Sequence, residues 1–502
     1  MVIYRFTPAR CLVDTCFYTI TGIYARNILI ACGAEMRLEM LGRKSRKKTG
    51  LNIIIVGCGK VGATLTEQLS KESHDITLID KNPEKIQHLA NTYDVMGLAG
   101  NGASYNVQME AGIEDADLLI AVTDSDELNL LCCTVAKRVG DCAAIARVRT
   151  PDYSEESAYL RQKLGLAMII NPELAAAHEV ARLLYLPTAL EVNPFAHGRV
   201  ELIKFKLPED NILANQTIVN LGKKGVSQNV LFCAVERDGE IIIPTGMFTL
   251  AAGDVVSFVS SRRDARNFLS KIGFDIKQVN NTMIIGGGKA AYYLAKQLLP
   301  MGIDVKIIES NFERCEELNA LLPKAIIING DGTNEELLKE EGIKNIESFV
   351  PLTGIDEENI FLTLYAREVS NAKVITKINR INFKNVISHL DLGSVIYPKY
   401  ITAEAILAYV RAKTASIGSN VETLYHMFDS RVEALEFLID RESEVTNIPI
   451  MEMNLKKNLL LCCIQRNGKT IIPSGTDMIM PGDTVVIVTT HTGFDNIQDI
   501  LV

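Results

Sequence analysis

The stretch NIIIVGCGKVG at residues 52–62 decides the fold of this chain. The apolar, β-branched run Ile53–Val56 predicts a buried strand, and the glycines that follow it at 57, 59 and 62 predict a tight turn into a helix. Gly57 suits the turn, Gly59 lets a pyrophosphate approach the backbone, and Gly62 lets the helix pack closely on the strand. Amides at such a helix start hold phosphates. We therefore predict nucleotide binding here, against a merely structural turn.

An acid follows the next predicted strand, which is Ile76–Ile79. Asp80 stands where a carboxylate accepts hydrogen bonds from the ribose hydroxyls of a dinucleotide. Its negative charge would repel a 2′-phosphate. The position therefore favours NAD or an adenosine nucleotide over NADP.

Three further positions follow from the same geometry, because ligands of such sheets bind at the carboxyl ends of the strands. Thr123 and Asp124 lie just past the fourth predicted strand, and Arg147 lies at the end of the fifth. For Arg147 two alternatives stay open, a phosphate contact and a solvated surface charge. Asp126, Glu127 and Asn129 are expected to have structural roles as N-cap and first-turn residues of the next helix.

The chain repeats itself at a spacing of 229–230 residues. Gly286-x-Gly288-x-x-Ala291 falls on the first glycine motif, and Glu309 falls on Asp80. Near the end of each copy, Arg237-Asp238-Gly239 falls on Arg466-Asn467-Gly468. Register held over so many turn residues indicates a tandem duplication.

Within each copy the pattern changes from strand–helix alternation to strands joined by turns. Alternation with continuous apolar strands predicts a parallel sheet covered on both faces. The predicted fold is α/β, with two tandem Rossmann-like doubly wound parallel-sheet domains, each followed by a small α+β lobe. The predicted boundaries are 51–185 and 281–410 for the Rossmann domains and 186–275 and 421–502 for the lobes. Residues 1–50 are expected to be a disordered extension outside the core, with a transit peptide or membrane-surface segment as the alternative.

Composition narrows the class of protein. A net charge of −9 argues against a nucleic-acid binder. The chain has no apolar run long enough to span a bilayer. None of the 11 cysteines forms a CxxC pair, which favours small buried side chains in a reducing compartment over metal ligands.

The sequence shows no recognisable catalytic grouping. The seven histidines are scattered, and no Ser/His/Asp, HExxH or SxxK grouping is present. His74 and His88, near the first glycine motif, are expected on the surface. We therefore predict that the chain is not an enzyme. Two alternatives remain, an NAD-dependent oxidoreductase and a structural relic that no longer binds nucleotide.

At this point the sequence resembles a known family, the RCK domains that regulate potassium conductance, present twice in tandem. The residues that carry the resemblance over about 51–502 are IIIVGCGKVG (53–62), LID (78–80), GNGAS (100–104), EAGIEDADLLIAVTDSDELN (110–129), IARVRTPDY (145–153), AVERDGEIIIPTG (234–246) and CIQRNGKTIIPSG (463–475). The resemblance implies a regulator that binds NAD(H), and often ATP or ADP, and gates a potassium-transporting membrane protein.

The same resemblance implies the partners and the site. The partner would be the membrane subunit of a Trk-type potassium transporter, which several copies of the chain would meet as a ring at the cytoplasmic face of the cell membrane. The first site would comprise Gly57, Cys58, Gly59, Lys60, Val61, Gly62, Asp80, Thr123, Asp124 and Arg147. The second would comprise Gly286, Gly287, Gly288, Lys289, Ala290 and Glu309, where Ala291 departs from the full motif.

Overall fold

The computed structural model describes residues 50–502 apart from residues 73, 196–198, 275, 380–389, 416–420, 429–430 and 495. All but the last residue of the predicted N-terminal extension lies outside the described residues. Within the described part, no helix has the length and apolar character needed to cross a bilayer.

The first half contains a six-stranded sheet in the order β3-β2-β1-β4-β5-β6, with all strands parallel. Its strands are β1 Asn52–Val56, β2 Asp75–Asp80, β3 Met96–Ala99, β4 Leu118–Ala121, β5 Ala143–Arg147 and β6 Met168–Ile170. Its helices are α1 Lys60–Leu69, α2 Pro83–Tyr93, α3 Tyr105–Glu110, α4 Asp126–Val139, α5 Pro151–Glu155, α6 Ser157–Leu164 and α7 Pro172–Tyr185. This is the predicted doubly wound Rossmann sheet.

Two local features are not evident from the sequence pattern. The short strand β6 was not anticipated, because three apolar residues give too little pattern to recognise. The helical segment over residues 151–164 is divided at Glu156, whose φ of −93° and ψ of 10° leave the helical range.

The strand order reverses at β1, which pairs with β2 on one side and β4 on the other. Helices that follow β1 and β4 cover opposite faces of the sheet, so a crevice opens at the carboxyl ends of these two strands. The first glycine motif follows β1 directly and therefore lies at this crevice.

The first lobe lies between the two Rossmann domains in the sequence. Its strands are β7 Glu191–Phe195, β8 Val200–Lys206, β9 Leu231–Arg237, β10 Glu240–Ile242 and β11 Val255–Ser260, and its helices are α8 Ile218–Lys223 and α9 Arg262–Lys271.

The second half repeats the parallel sheet. Its strands are β12 Asn281–Ile285, β13 Asp304–Glu309, β14 Ile326–Asn329, β15 Ser348–Pro351, β16 Lys373–Lys377 and β17 Ser394–Ile396, in the order β14-β13-β12-β15-β16-β17. Its helices are α10 Lys289–Leu298, α11 Phe312–Leu321, α12 Glu335–Glu340, α13 Asp356–Val369 and α14 Pro398–Ala415.

Each lobe is a five-stranded antiparallel sheet, and the two lobes share one apolar core. The strands of the second lobe are β18 Val421–Met427, β19 Val432–Leu438, β20 Leu459–Arg466, β21 Lys469–Ile471 and β22 Thr484–Thr489. The two predicted hairpin turns are present, with Asp238 and Gly239 at φ 51° and 81° and Asn467 and Gly468 at φ 50° and 78°. Such positive φ values are typical of tight hairpin turns.

The two halves exchange helices. The helix α7 leaves the first sheet and buries its apolar face against α10 of the second Rossmann domain. In return, α14 packs on α1 of the first domain through Ala403, Ile406, Leu407 and Val410. Tyr293 on α10 donates a hydrogen bond to the carbonyl oxygen of Arg149 (2.9 Å) and accepts one from the side chain of Asn171 (3.0 Å). The exchange therefore fixes the glycine-bearing helices against the opposite half.

The closest packing in the first glycine motif is at Gly62. A Cβ atom there would lie 1.9 Å from the carbonyl oxygen of Gly57, which is backbone and cannot swing away. We expect Gly62→Ala to destabilise the protein by about 1–3 kcal/mol, as overpacking does. Thermal unfolding followed by circular dichroism measures the effect.

The matched control is Gly59→Ala. A Cβ atom at residue 59 meets nothing within 4 Å, and the φ of −73° suits any residue. Equal midpoints of thermal unfolding for the Gly62→Ala variant and the wild type would contradict the described packing of α1 on β1.

Candidate nucleotide-binding sites

The first glycine loop is shaped by Gly57. Its φ of 106° is a conformation that side chains rarely adopt, and a Cβ atom there would lie 2.9 Å from the amide nitrogen of Thr123. The Gly57 amide donates to the carbonyl oxygen of Ile79 (2.8 Å), which ties the loop to the end of β2. Gly59 is the N-cap of α1 and faces open space. The amides at the start of α1 are therefore accessible to an anion.

Asp80 is held beside this loop by both of its carboxylate oxygens. Oδ2 accepts a hydrogen bond from the amide of Cys58 (2.6 Å), and Oδ1 accepts one from the amide of Asn82 (2.8 Å). Each carboxylate oxygen has a second lone pair, so the group retains acceptor capacity for hydroxyls of a ligand. Burial, with a smaller contribution from Asp80, raises the pKa of the Cys58 thiol to about 12. The thiol therefore stays protonated at neutral pH and has little reactivity.

Asn129 ties together the ends of β4 and β5. Its Oδ1 accepts hydrogen bonds from the amide and hydroxyl of Thr123 (2.8 and 2.7 Å), and its Nδ2 donates to the carbonyl oxygen of Arg147 (2.9 Å). The side chain is fully buried. The structural role expected for Asn129 is therefore seen, although the bridge to β5 was not anticipated.

Arg147 is buried at the same edge of the sheet. Its Nη2 donates to the carbonyl oxygen of Thr123 (2.5 Å) and to Oδ1 of Asp124 (3.2 Å), whereas its buried Nε has no hydrogen-bond partner among the described residues. The residue is only 8% exposed, so the solvated-charge alternative is excluded. Asp124 lies on the surface beside it.

The second glycine loop repeats the first. Gly286 has a φ of 95° and donates to the carbonyl oxygen of Ile308 (2.8 Å). Glu309 accepts from the amides of Gly287 (2.6 Å) and Asn311 (2.8 Å), as Asp80 does in the first loop. Ala291, in place of the third glycine, is completely buried, so the packing of α10 accommodates its methyl group.

Two cations distinguish the second loop from the first. Lys377, at the position of Arg147, donates to the carbonyl oxygen of Leu352 (2.8 Å), and burial lowers its pKa to about 8. Arg314 donates through Nε to the carbonyl oxygen of Gly287 (2.7 Å), a contact absent from the sequence predictions. Two cationic side chains at the second loop are therefore already engaged by backbone carbonyls.

The two lysines of the loops also differ. Lys60 is exposed, whereas Lys289 donates to the hydroxyl of Thr150 (3.1 Å) in the first Rossmann domain. Thr150 in turn donates to Oδ2 of Asp126 (2.7 Å). Pattern reasoning could not find this contact, because it depends on how two distant domains dock.

The structure also tests the remaining sequence predictions near the loops. His88 is exposed as expected, but the expectation for His74 was wrong. The His74 side chain is only 3% exposed, and its Nδ1 accepts from the amide of Leu51 (3.1 Å) at the amino end of β1. The eight cysteines among the described residues are all buried, as predicted.

The paired Rossmann sheets, with their glycine loops and attached antiparallel lobes, define a protein of the nucleotide-binding class that is built from two tandem units. The TrkA-N domain matches residues 53–172 and 282–398, and the TrkA-C domain matches residues 202–273 and 434–502. The chain belongs to the TrkA family.

Curated relatives agree with this assignment over nearly their whole length. A Trk system potassium uptake protein TrkA homolog 1 of Methanosarcina mazei is 30% identical over 445 residues, which is 87% of this chain and 97% of that protein. The Trk system potassium uptake protein TrkA of Halomonas elongata is 31% identical over 439 residues, which is 87% of this chain and 95% of that protein.

Solved structures show the same fold. The crystal structure of the GsuK RCK domain superposes with a TM-score of 0.58 at 17% identity, covering 88% of this chain and 93% of that one. A GsuK channel bound to NAD superposes with a TM-score of 0.58 at 17% identity, covering 94% and 84%. The predicted tandem RCK architecture is therefore confirmed.

The openness of the first loop at Gly59 leads to a binding prediction. A methyl group there would stand where a pyrophosphate approaches the amides, so Gly59→Ala should remove about one charge-assisted hydrogen bond, worth about 1.5–3 kcal/mol. Calorimetric titration with NADH measures the change in affinity. Because residue 59 has free space around it, the midpoint of thermal unfolding should stay at the wild-type value.

Two results would contradict this prediction. Unchanged affinity in Gly59→Ala would show that no phosphate group approaches this loop. A lowered unfolding midpoint would show that residue 59 is packed, contrary to the structure.

Proposed function

We propose that this chain is the nucleotide-binding regulatory subunit of a potassium-uptake system, and that it gates a Trk-type membrane subunit according to the ligand in its glycine loops. The observation that carries the proposal is the first loop, where Gly59 leaves the start of α1 open and Asp80 is fixed 2.6 Å from the Cys58 amide. The names of the relatives, which are Trk potassium-uptake proteins, support the transport role.

NAD(H) is the ligand that we propose for the first loop. A carboxylate at residue 80 can accept from both ribose hydroxyls but repels a 2′-phosphate, and a solved neighbour of the same fold is an NAD-bound channel. ATP or ADP carries the same adenosine ribose, so an adenosine nucleotide is the competing ligand. We propose weaker binding in the second loop, where Arg314 and Lys289 are already engaged.

Gating requires the two loops to communicate, and a hydrogen-bonded path between them supports this. Arg149 donates from Nη2 to the carbonyl oxygen of Asp124 (2.5 Å) and from its amide to Asp126 (2.9 Å). Asp126 also accepts from Thr150, which accepts from Lys289 of the second loop. A ligand can shift a conformational equilibrium only by its difference in affinity between two states. This path gives ligand contacts at Asp124 a means of changing the second loop.

The alternative function is an NAD-dependent oxidoreductase. It would need a proton donor or acceptor beside the nicotinamide. His74, the nearest histidine in the sequence to Asp80, is buried at the amino end of β1, away from the carboxyl-end crevice. Protein-dependent loss of NADH absorbance with carbonyl substrates would favour the oxidoreductase; stable NADH bound to the protein favours the regulator.

The central test of the proposal is Asp80→Ala. Loss of the charged hydrogen bonds to ribose should weaken NADH binding by about 1.5–3 kcal/mol. Calorimetry gives the affinity, and potassium uptake by cells that carry the transporter gives the regulatory effect. Glu309→Ala is the matched variant in the second loop.

We expect Asp80→Ala to abolish the NADH dependence of uptake more completely than Glu309→Ala does. If Asp80→Ala binds both NADH and ATP with wild-type affinity, the site assignment is wrong. If it loses NADH binding while uptake responds to NADH as in the wild type, control of uptake through the first loop is wrong.

The path between the loops is tested by Thr150→Val, which removes the hydroxyl and keeps the shape of the side chain. The quantity measured is the change in second-loop affinity for nucleotide when the first loop is disabled by Asp80→Ala. Allosteric coupling is typically about 1–3 kcal/mol, and we expect it to fall towards zero in the Thr150→Val background.

Thr150→Ser is the control because it keeps the hydroxyl. It should retain the wild-type coupling. Equal coupling in the Val and Ser variants would mean that the Lys289–Thr150–Asp126 contacts do not transmit ligand state.

A further inference from the structure

A second cavity lies away from both glycine loops. Its volume is about 410 Å³, and it is lined by residues of α7, of the first lobe with its helix α9, and of α10 in the second Rossmann domain. Three arginines line it, namely Arg182 on α7 and Arg262 and Arg266 on α9. We name it the arginine cavity.

The arginines are not equally neutralised. Nε of Arg262 forms an ion pair with Glu201 at 2.8 Å, so this arginine adds little net charge. Among the described residues, the hydrogen-bond partners of Arg266 are two neutral groups, the hydroxyl of Tyr185 and the carbonyl oxygen of Ile276. Its positive charge is therefore uncompensated by a paired carboxylate.

Arg182 is the least satisfied of the three. Its Nε is buried and has no hydrogen-bond partner in the described part of the chain. Glu179 lies on the same helix and lines the neighbouring cavity, but burial raises the pKa of its carboxyl group to about 7. Burial favours the neutral form of Glu179, and the other carboxylate that acts on Arg182, Glu201, is shared with Arg262.

A second buried donor faces the arginine cavity from the opposite half. Nε2 of Gln297 on α10 also has no hydrogen-bond partner among the described residues. Buried donors without acceptors are costly and uncommon in native proteins. An oxygen-rich ligand in the cavity would supply acceptors to the guanidinium group of Arg182, which is partly exposed there.

Much of the remaining wall is apolar, although His178 and Tyr185 also line it. Leu186, Val192, Ala265 and Met301 form the apolar part. Sites of this kind hold an apolar or flat body and fix a charged group with a few polar side chains. The volume lies within the range of small-molecule sites.

We propose that the arginine cavity binds a small phosphate ester of about mononucleotide size. Arg182 and Arg266 supply two positive charges, which match a phosphomonoester dianion, and guanidinium groups bind phosphate by paired hydrogen bonds. The body of the ligand packs against Val192 and Met301. This ligand is separate from the one in the glycine loops.

The arginine pair of α9 is not repeated in the sequence. At the repeat spacing of 229 residues, Arg182 corresponds to Arg411, but Arg262 and Arg266 correspond to His491 and Asp495. Because three domains line the cavity, its ligand would favour the arrangement in which these domains are docked as in the structure.

The test is calorimetric titration of the full chain with AMP, with and without saturating NADH. We expect about one AMP molecule to bind per chain through Arg182. The Arg182→Met substitution should lower the affinity for AMP by about tenfold or more. Arg266→Met should have the same effect and serves if Arg182→Met fails to fold. Arg263→Met, on the exposed side of α9, is the matched control and should bind like the wild type.

Titrations with adenosine and with inorganic phosphate show which part of AMP the cavity recognises. Adenosine should not bind this site, and inorganic phosphate should bind it more weakly than AMP does. The proposal is overturned if AMP does not bind, if Arg182→Met and Arg263→Met bind it equally, or if Asp80→Ala removes the binding while Arg182→Met retains it. The test compares the AMP affinities of the Arg182 and Arg263 variants. Its outcome therefore does not depend on whether the glycine loops bind NADH.

Discussion

The reciprocal burial of α7 and α14 is the constraint on which the rest of the structure depends. Each helix extends from one Rossmann sheet and covers the first helix of the other. That first helix carries the glycine loop at its start, so each loop is positioned by contacts from the opposite half. Apolar burial supplies the attraction, and the buried hydroxyl of Tyr293, bonded to Arg149 and Asn171, fixes the register of α10.

The two glycine loops therefore have the same backbone geometry but different neighbouring side chains. Both loops place a carboxylate on the amide that follows the first glycine. Beyond that contact they diverge, because Lys60 is free to meet a ligand whereas Lys289 is engaged with Thr150. Two loops of similar shape can thus differ in affinity, and the difference arises from packing between domains and not from the glycine motif.

Sequence reasoning recovered what short patterns encode. The glycine spacing, the acid at Asp80 and the repeat that located Glu309 are local signals, and each follows from backbone geometry within a few residues. The buried state of Arg147 and the contact between Lys289 and Thr150 were missed. These depend on segments far apart in the sequence, and a charged residue gives no local sign that a neighbouring domain will cover it. The unpartnered donors of the arginine cavity lie beyond pattern reasoning for the same reason.

The duplication has an evolutionary consequence. In a homodimer of single units, one codon specifies both copies of every loop residue, so any substitution alters both loops together. Here Lys60 and Lys289 are encoded separately, as are Arg147 and Lys377. Mutation and selection can therefore act on one loop while the other is preserved, and a single gene can hold two receptors with independent histories.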